Sequence, residues 1–256
     1  MRLDLYLFEK GFAKSRSYAK MLISEGFVKL NGKSVNKASV DVSEGDNIEV
    51  TGKPFEYVSR GGLKLEAAIN TFDIDVTGLR CVDIGASTGG FTDCLLKKGA
   101  AYVVAVDIGH DQLDGSLISD ERVLNLEGVN ARYLNAEIIN GICDVAVSDI
   151  SFISQTYVIP NIHGILSENG IYVALIKPQF ECGRSGLGKN GIVKDKKTRY
   201  AAVKRVIDCS KDNGLNVVGL IKSPIEGGDG NTEYLMYCKK DGIHINDNVI
   251  KEVCGL

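Results

Sequence analysis

No apolar run in the chain approaches the roughly 20 residues needed to cross a bilayer. The opening stretch, Met1-Arg2-Leu3-Asp4-Leu5-Tyr6, lacks the long apolar segment of a signal peptide. A membrane role is not expected, and the cytoplasm is the expected compartment. Histidine is scarce, with His110, His163 and His244 isolated from one another. The seven cysteines, at 81, 94, 143, 182, 209, 238 and 254, form no C-x-x-C pair. Neither a metal centre nor a disulfide framework is expected, and the cysteines read as buried thiols in a reducing compartment. The Lys-Ser or Lys-Thr pair that grips phosphates after a glycine loop is also missing. Internal repeats and low-complexity tracts are absent.

What is present is an ordinary globular composition. With 256 residues, 44% hydrophobic and 25% charged, the chain can hold one sizeable core and a small extra domain. The formal net charge of -3 hides a local asymmetry. Lys10, Lys14, Arg16, Lys20, Lys29, Lys33 and Lys37 face a single acid, Glu25, between residues 10 and 37. So one-sided a stretch in an acidic protein points to a phosphate-bearing partner.

The first 56 residues read as a small unit of their own. A helix begins after Ser15, gathers Tyr18, Ala19, Leu22 and Ile23 on one face, and stops at Gly26. The Asn31-Gly32 pair between Phe27-Val28-Lys29-Leu30 and a later strand ending Ile48-Glu49-Val50 is a hairpin signal. Thr51-Gly52-Lys53-Pro54 closes the unit. Residues 57–62 are read as a linker and 63–256 as a second domain.

In that second domain strand-like and helix-like stretches alternate. Strands are expected near 80–84, 101–107, 122–127, 143–149, 170–176, 215–221 and 232–239, with helices including 152–166 and 195–213. Several strands are apolar throughout, as strands covered on both faces must be, so the expected fold is a doubly wound α/β sheet. The run Val82-Asp83-Ile84-Gly85-Ala86-Ser87-Thr88-Gly89-Gly90-Phe91 sets a glycine turn between a strand and a helix. Such a turn bares backbone N–H groups to a small ligand. Asp83 would repel a pyrophosphate but attract an ammonium group. Asp107, at the next strand end, suits the hydroxyls of a ribose. A ligand with both parts fits S-adenosylmethionine better than NAD, FAD or ATP. Its expected contacts are Asp83, Gly85, Ala86, Ser87, Gly89, Gly90, Phe91 and Asp107.

Ligands in such sheets lie beyond the carboxyl ends of the strands. Asp149 and Lys177 close apolar strands, Glu233 opens the last one, and Lys64 lies in the helix behind Arg60-Gly61-Gly62. A buried lysine is costly unless it is paired, so a salt bridge to Asp149 or Glu233 is one reading and catalytic work is the other. Methyl transfer to a ribose hydroxyl supplies such work, because that oxygen is a poor nucleophile until its proton is removed or polarised. Lys177 is the candidate base, Lys64 its neighbouring cation, and Asp149 and Glu233 the acids that hold them.

Arg2-Leu3-Asp4, Ser15-Arg16, Ala19, Ile23, Gly26-Phe27-Val28, Val35, Lys37 and Gly45-Asp46 together resemble the S4 RNA-binding domain. That resemblance implies a small α+β module, with Arg2, Lys14, Arg16 and Lys37 as RNA contacts. The second domain resembles the FtsJ-like ribose 2'-O-methyltransferases, with a Rossmann-like class I methyltransferase fold. The whole chain is similar to the TlyA family, often labelled haemolysin A, through Tyr57 to Leu65, Val82 to Thr92, Ser148 to Ser154 and Leu175 to Glu181. The family's Lys, Asp, Lys, Glu tetrad falls on Lys64, Asp149, Lys177 and Glu233. Its third cofactor motif adds Glu127, and Asp149 touches the cofactor as well. The resemblance implies S-adenosyl-L-methionine as cofactor and a cytidine ribose in ribosomal RNA, free or in a subunit, as acceptor. Two other readings compete: a ribosome-assembly factor that binds RNA without methylating it, and a haemolysin. The glycine- and cation-rich stretch from Phe180 to Lys194 is expected to be an RNA-facing lid.

Overall fold

The computed structural model describes residues 1–13, 15–24, 26–51, 56–227 and 230–256. The chain divides into two units, Met1–Glu56 and Tyr57–Leu256.

In the first unit, helices α1 (Leu3–Glu9) and α2 (Arg16–Ser24) pack together beside strands β1 (Val28–Leu30), β2 (Lys33–Ser34) and β3 (Ile48–Val50). The Ser15 hydroxyl accepts the Tyr18 N–H at 3.1 Å and starts α2, the cap that its sequence signals. Asn31 and Gly32 both take positive φ, turning β1 back onto β2, while β3 pairs along the other edge of β1. Leu3, Leu7, Ala19, Leu22, Ile23 and Val28 form a dry centre.

The second unit begins at the first residue of the expected linker, so that 57–62 belongs to it. Tyr57 is buried against Gly62, and the Val58 N–H donates to Asp93 Oδ2 at 2.7 Å. Helix α3 (Gly61–Thr71) then leads to β4 (Arg80–Ile84), α4 (Gly90–Lys97), β5 (Tyr102–Val106), α5 (Gly115–Ile118), β6 (Val123–Leu126) and β7 (Cys143–Ser148). The chain continues through α6 (Ile159–Ile165), β8 (Leu166–Ile176), α7 (Pro178–Glu181), α8 (Lys196–Asp212), β9 (Asn216–Lys222), β10 (Tyr234–Lys239) and α9 (Asp247–Cys254). The stretch expected as one helix over 152–166 is instead a 3-10 turn at Gln155–Tyr157 followed by α6, where Pro160 sits in the first turn.

The seven strands form one sheet in the order β6-β5-β4-β7-β8-β10-β9. Strands β4 to β8 are parallel, whereas β10 runs antiparallel between β8 and β9. Side chains alternate across the sheet. Val82, Ile84, Val104 and Val106 join one core, and Cys81, Val103, Val145 and Val147 join the other. The sequential run β4-β5-β6 grows to one side and β7 to the other. A crevice therefore opens beyond the carboxyl ends of β4 and β7, the place where doubly wound sheets bind ligands.

Candidate functional site

The crevice floor is the turn after β4. Gly85 has φ +84, and a Cβ there would come 2.9 Å from the Asp149 carbonyl oxygen, so the turn needs glycine on both counts. At Gly90, the first residue of α4, an added Cβ would collide with Ser59 Oγ. The segment ahead of α3 therefore lies directly on the start of α4. Two adjoining cavities open here, of about 520 and 300 Å³, and both are lined by Gly85, Ser87, Asp149 and Ser151. The larger reaches Asp107, Asn130 and Phe152, and the smaller reaches Asp83, Ala86, Gly90 and Phe91. Gly89 caps α4.

Asp83 lines the smaller cavity and is fully buried. Its Oδ2 accepts the Thr92 N–H at 2.9 Å and the Thr92 hydroxyl at 2.7 Å, while Oδ1 has no hydrogen-bond partner. Burial pushes its carboxyl up to about 7, partly countered by the Thr92 hydrogen bonds. A buried carboxylate with one orphaned oxygen suits a cationic group, and the ammonium of S-adenosylmethionine fits it. Asp107 takes the Ser87 N–H on Oδ2 at 2.8 Å and the Gly109 N–H on Oδ1 at 2.7 Å. Each of its oxygens keeps a lone pair for a hydroxyl. Glu127 lines neither cavity. It accepts Asn125 Nδ2 at 3.1 Å, and this bond, with help from the 110–112 turn, holds its carboxyl below the ordinary range.

The four residues proposed as a tetrad meet on the wall of the smaller cavity. Lys64 Nζ lies 2.6 Å from Glu233 Oε2, with side-chain exposures of 7% and 2%. Lys177 Nζ lies 2.6 Å from Asp149 Oδ1, and the pair is only slightly more open. Glu233 reaches this edge because β10 is antiparallel. Tyr234 stands opposite Ile176, so the residues flanking them, Glu233 and Lys177, share one end of the sheet.

Sequence reasoning passed over three parts of this site. Ser151 Oγ accepts a hydrogen bond from Lys177 Nζ at 2.8 Å. Phe152 is 91% exposed at φ +64, on the rim of the larger cavity, with its ring 5.2 Å from that of Phe180. An aromatic held in the left-handed region and turned into solvent is unusual, and such outliers concentrate at working sites. Beneath this loop, the buried Glu181 carboxylate accepts the Ser154 hydroxyl at 2.5 Å and the Gln155 N–H at 2.8 Å. Gln155 in turn joins Ser148 and Tyr172. This network ties the loop after β7 to the helix after Lys177. Only position in the sequence, between the Asp149 and Lys177 strand ends, could have pointed to it.

In the 180–194 segment, expected as a lid, the second half is hydrogen-bonded to its surroundings. The Val193 N–H donates to Asn231 Oδ1 at 2.9 Å, and Asn231 Nδ2 donates to Gly191 O at 3.1 Å. Arg199 Nη1 donates to Val193 O and Lys194 O at 3.1 and 3.0 Å. Asn231 is buried two residues before Glu233, so these bonds tether the second half of the segment to the stretch that leads into β10.

In the first unit, Arg2 and Arg16 converge on Asp4. Lys37 is exposed, one residue before Ala38, whose carbonyl accepts the Asp4 N–H at 3.2 Å. Lys14, the fourth expected RNA contact, lies outside the described residues. No helix among the described residues is long and apolar enough to cross a membrane.

Comparison with known proteins matches residues 57–240 to the FtsJ-like methyltransferase model and residues 1–48 to the S4 domain model. The chain is 43% identical over 239 residues to the 16S/23S rRNA (cytidine-2'-O)-methyltransferase TlyA of Mycobacterium tuberculosis, covering 93% of this chain and 89% of that one. It is 46% identical over 242 residues to hemolysin A of Brachyspira hyodysenteriae, covering 93% and 99%. A solved structure of a candidate hemolysin from Streptococcus thermophilus matches at a TM-score of 0.80 with 39% identity, covering 100% of this chain and 94% of that one. Membership of a methyltransferase family implies S-adenosylmethionine as the methyl donor. The chain belongs to the FtsJ-like methyltransferase family, in the TlyA group that carries an S4 domain ahead of the methyltransferase domain.

Proposed function

We propose that this protein methylates the ribose 2'-hydroxyl of a cytidine in ribosomal RNA, acting on ribosomal subunits in the cytoplasm. The observation that carries this reading is the meeting of two lysine–carboxylate pairs, Lys64–Glu233 and Lys177–Asp149, on the cavity that also holds the orphaned oxygen of Asp83. Ion pairs this close to burial are poor devices for stability, since desolvation offsets most of their attraction. Their position beside a cofactor cavity favours a chemical role.

S-adenosylmethionine, when bound, supplies an already activated methyl group on a sulfonium. Asp83 would receive its ammonium on Oδ1 and Asp107 its ribose hydroxyls, with Ala86, Ser87, Gly89, Gly90 and Phe91 shaping the wall between them. Glu127, the further expected cofactor contact, lines neither cavity and has no direct part in this proposal. Lys177, as the neutral amine left once its ammonium has given a proton to solvent, takes the 2'-hydroxyl proton as the acceptor oxygen attacks the methyl carbon. Asp149 and Ser151 fix the position of its Nζ. Lys64, held by Glu233, steers the hydroxyl from the other side. Phe152 offers an exposed ring on which a base of the RNA can stack. Arg2, Arg16 and Lys37, with Lys14, would engage the phosphates.

Purified protein supplied with labelled S-adenosylmethionine is expected to methylate isolated ribosomal subunits. Lys177→Ala should lower that rate about 100-fold or more, the scale of general base catalysis, while cofactor affinity stays within a few-fold. Undiminished labelling by the variant would remove Lys177 from the chemistry. No labelling of any subunit or assembly intermediate by the parent protein would leave the RNA-binding assembly factor as the better reading.

A further inference from the structure

Asp4 has no part in the cofactor cavity, and it is an acid inside a basic module. Its side chain is completely buried, and three guanidinium N–H groups reach it. Arg2 Nε donates to Oδ1 at 2.9 Å, Arg2 Nη2 to Oδ2 at 3.2 Å, and Arg16 Nη2 to Oδ2 at 3.0 Å. The arginines themselves are open, with 48% and 49% of their side-chain surface exposed. A guanidinium carries five N–H donors in a rigid plane. Most of the donors on both arginines are therefore left over after Asp4 is satisfied. The first N–H groups of α1 bond to the 38–40 loop, Leu3 to the Val40 carbonyl and Asp4 to the Ala38 carbonyl, which sets the backbone next to Lys37 against the start of the helix. Asp41, bridged to Arg2 through the backbone, is the other acid nearby.

We propose that Asp4 is a positioning residue for RNA: one buried carboxylate fixes the planes of two arginines so that their remaining donors meet phosphates of the folded RNA, with Lys37 alongside. This rests on ribosomal RNA being the substrate. An unrestrained arginine loses most of its rotamer freedom when it grips a phosphate, and the fork at Asp4 removes that freedom in advance. Charge alone predicts the reverse outcome. An acid beside two cations weakens the local positive potential, so its removal should strengthen binding to a polyanion.

The two accounts separate in one measurement. Binding of the full-length chain and its Asp4→Asn variant to purified ribosomal subunits is compared at fixed salt. Positioning predicts about tenfold weaker binding by the variant, on the scale of ordering two long side chains. Equal or tighter binding overturns the proposal. Backbone hydrogen exchange over Leu3–Glu9 and Arg16–Ser24 checks that the module stays folded. In a chain that already carries Arg2→Ala and Arg16→Ala, Asp4→Asn should cause no further loss. A second loss of the same size there would mean that Asp4 acts only through the fold, and would also overturn the proposal. If Asp4→Asn forfeits exchange protection, Asp4→Glu keeps the charge and moves the acceptors by one methylene. It should weaken binding about threefold, a fraction of the same ordering cost, and unchanged binding refutes the idea. Absence of binding by the parent chain overturns the substrate assignment and this inference together. Binding that survives Asp4→Asn overturns this inference alone.

Discussion

Asp4 and Asp83 are both fully buried aspartates, one in each unit, and they titrate in opposite directions. Hydrogen bonds from Arg2, and after them Arg16, hold the Asp4 carboxyl down at about 2 against the cost of its burial. The Asp83 carboxyl rises to about 7, because burial outweighs the two bonds from Thr92. The difference lies in the partners. Asp4 has both oxygens occupied by cations, whereas Asp83 has one oxygen with nothing to bind. A buried acid that is already satisfied organises the fold around it. One left unsatisfied stores an affinity for a cation that arrives later.

The contrast can be broken most sharply by the same substitution at both sites. Asp83→Asn removes the charge that would meet the ammonium, and S-adenosylmethionine affinity should fall about 10- to 100-fold, the scale of a charged hydrogen bond. Calorimetric titration checks this. An unchanged affinity would dismiss Asp83 as the ammonium site. In the parent protein the same affinity should depend on pH. Below about 7 Asp83 carries a proton that the incoming ammonium must displace, so the affinity at pH 6 is expected to be about tenfold below its plateau above pH 8. A flat profile between pH 6 and 8 would contradict the link.

Stability provides the smallest effects and the clearest difference in sign. The raised Asp83 value means that the ligand-free fold loses stability as pH rises from the ordinary aspartate range, about 4, towards 7. Asp83→Asn should therefore raise the melting temperature at pH 8, by less at pH 5, and leave it nearly unaltered below the ordinary aspartate value of about 4. Asp4→Asn should instead lower the melting of the first unit by roughly 5 °C at neutral pH. The Asp4 contribution is complete above the ordinary aspartate value and is lost only as pH falls through about 2. Shifts of the same sign at both positions would erase the distinction.

Much of this was legible in the sequence for physical reasons. Strands covered on both faces must be apolar, so Val103–Val106 of β5, Val145–Val147 of β7 and Ile171–Ile176 of β8 stand out as unbroken runs, and the polar residues after them mark the crevice. The Ser15 cap and the Asn31-Gly32 turn are local signals and were equally clear. What sequence could not supply was pairing across distance. Lys64 and Glu233 lie 169 positions apart, and nothing local announces that β10 enters between β8 and β9 in the opposite sense. The exposure of Phe152 ran against hydrophobicity, since a phenylalanine in Ser148-Asp149-Ile150-Ser151-Phe152-Ile153 suggests a core residue. Asp4 was counted as an ordinary member of a motif, because side-chain convergence from two helices leaves no trace in composition.

The reversed direction of β10 has a consequence for how the protein comes into being. Had the last strand run with its neighbours, residue 233 would stand at the far edge of the sheet, about 20 Å away for a strand of this length. Because it runs against them, the site takes a member from near the end of the chain. A nascent chain that has emerged only as far as β9 can already bring Lys177 to Asp149, yet Lys64 still lacks its partner. Competence would then arrive in a single step, when β10 fills the gap between β8 and β9.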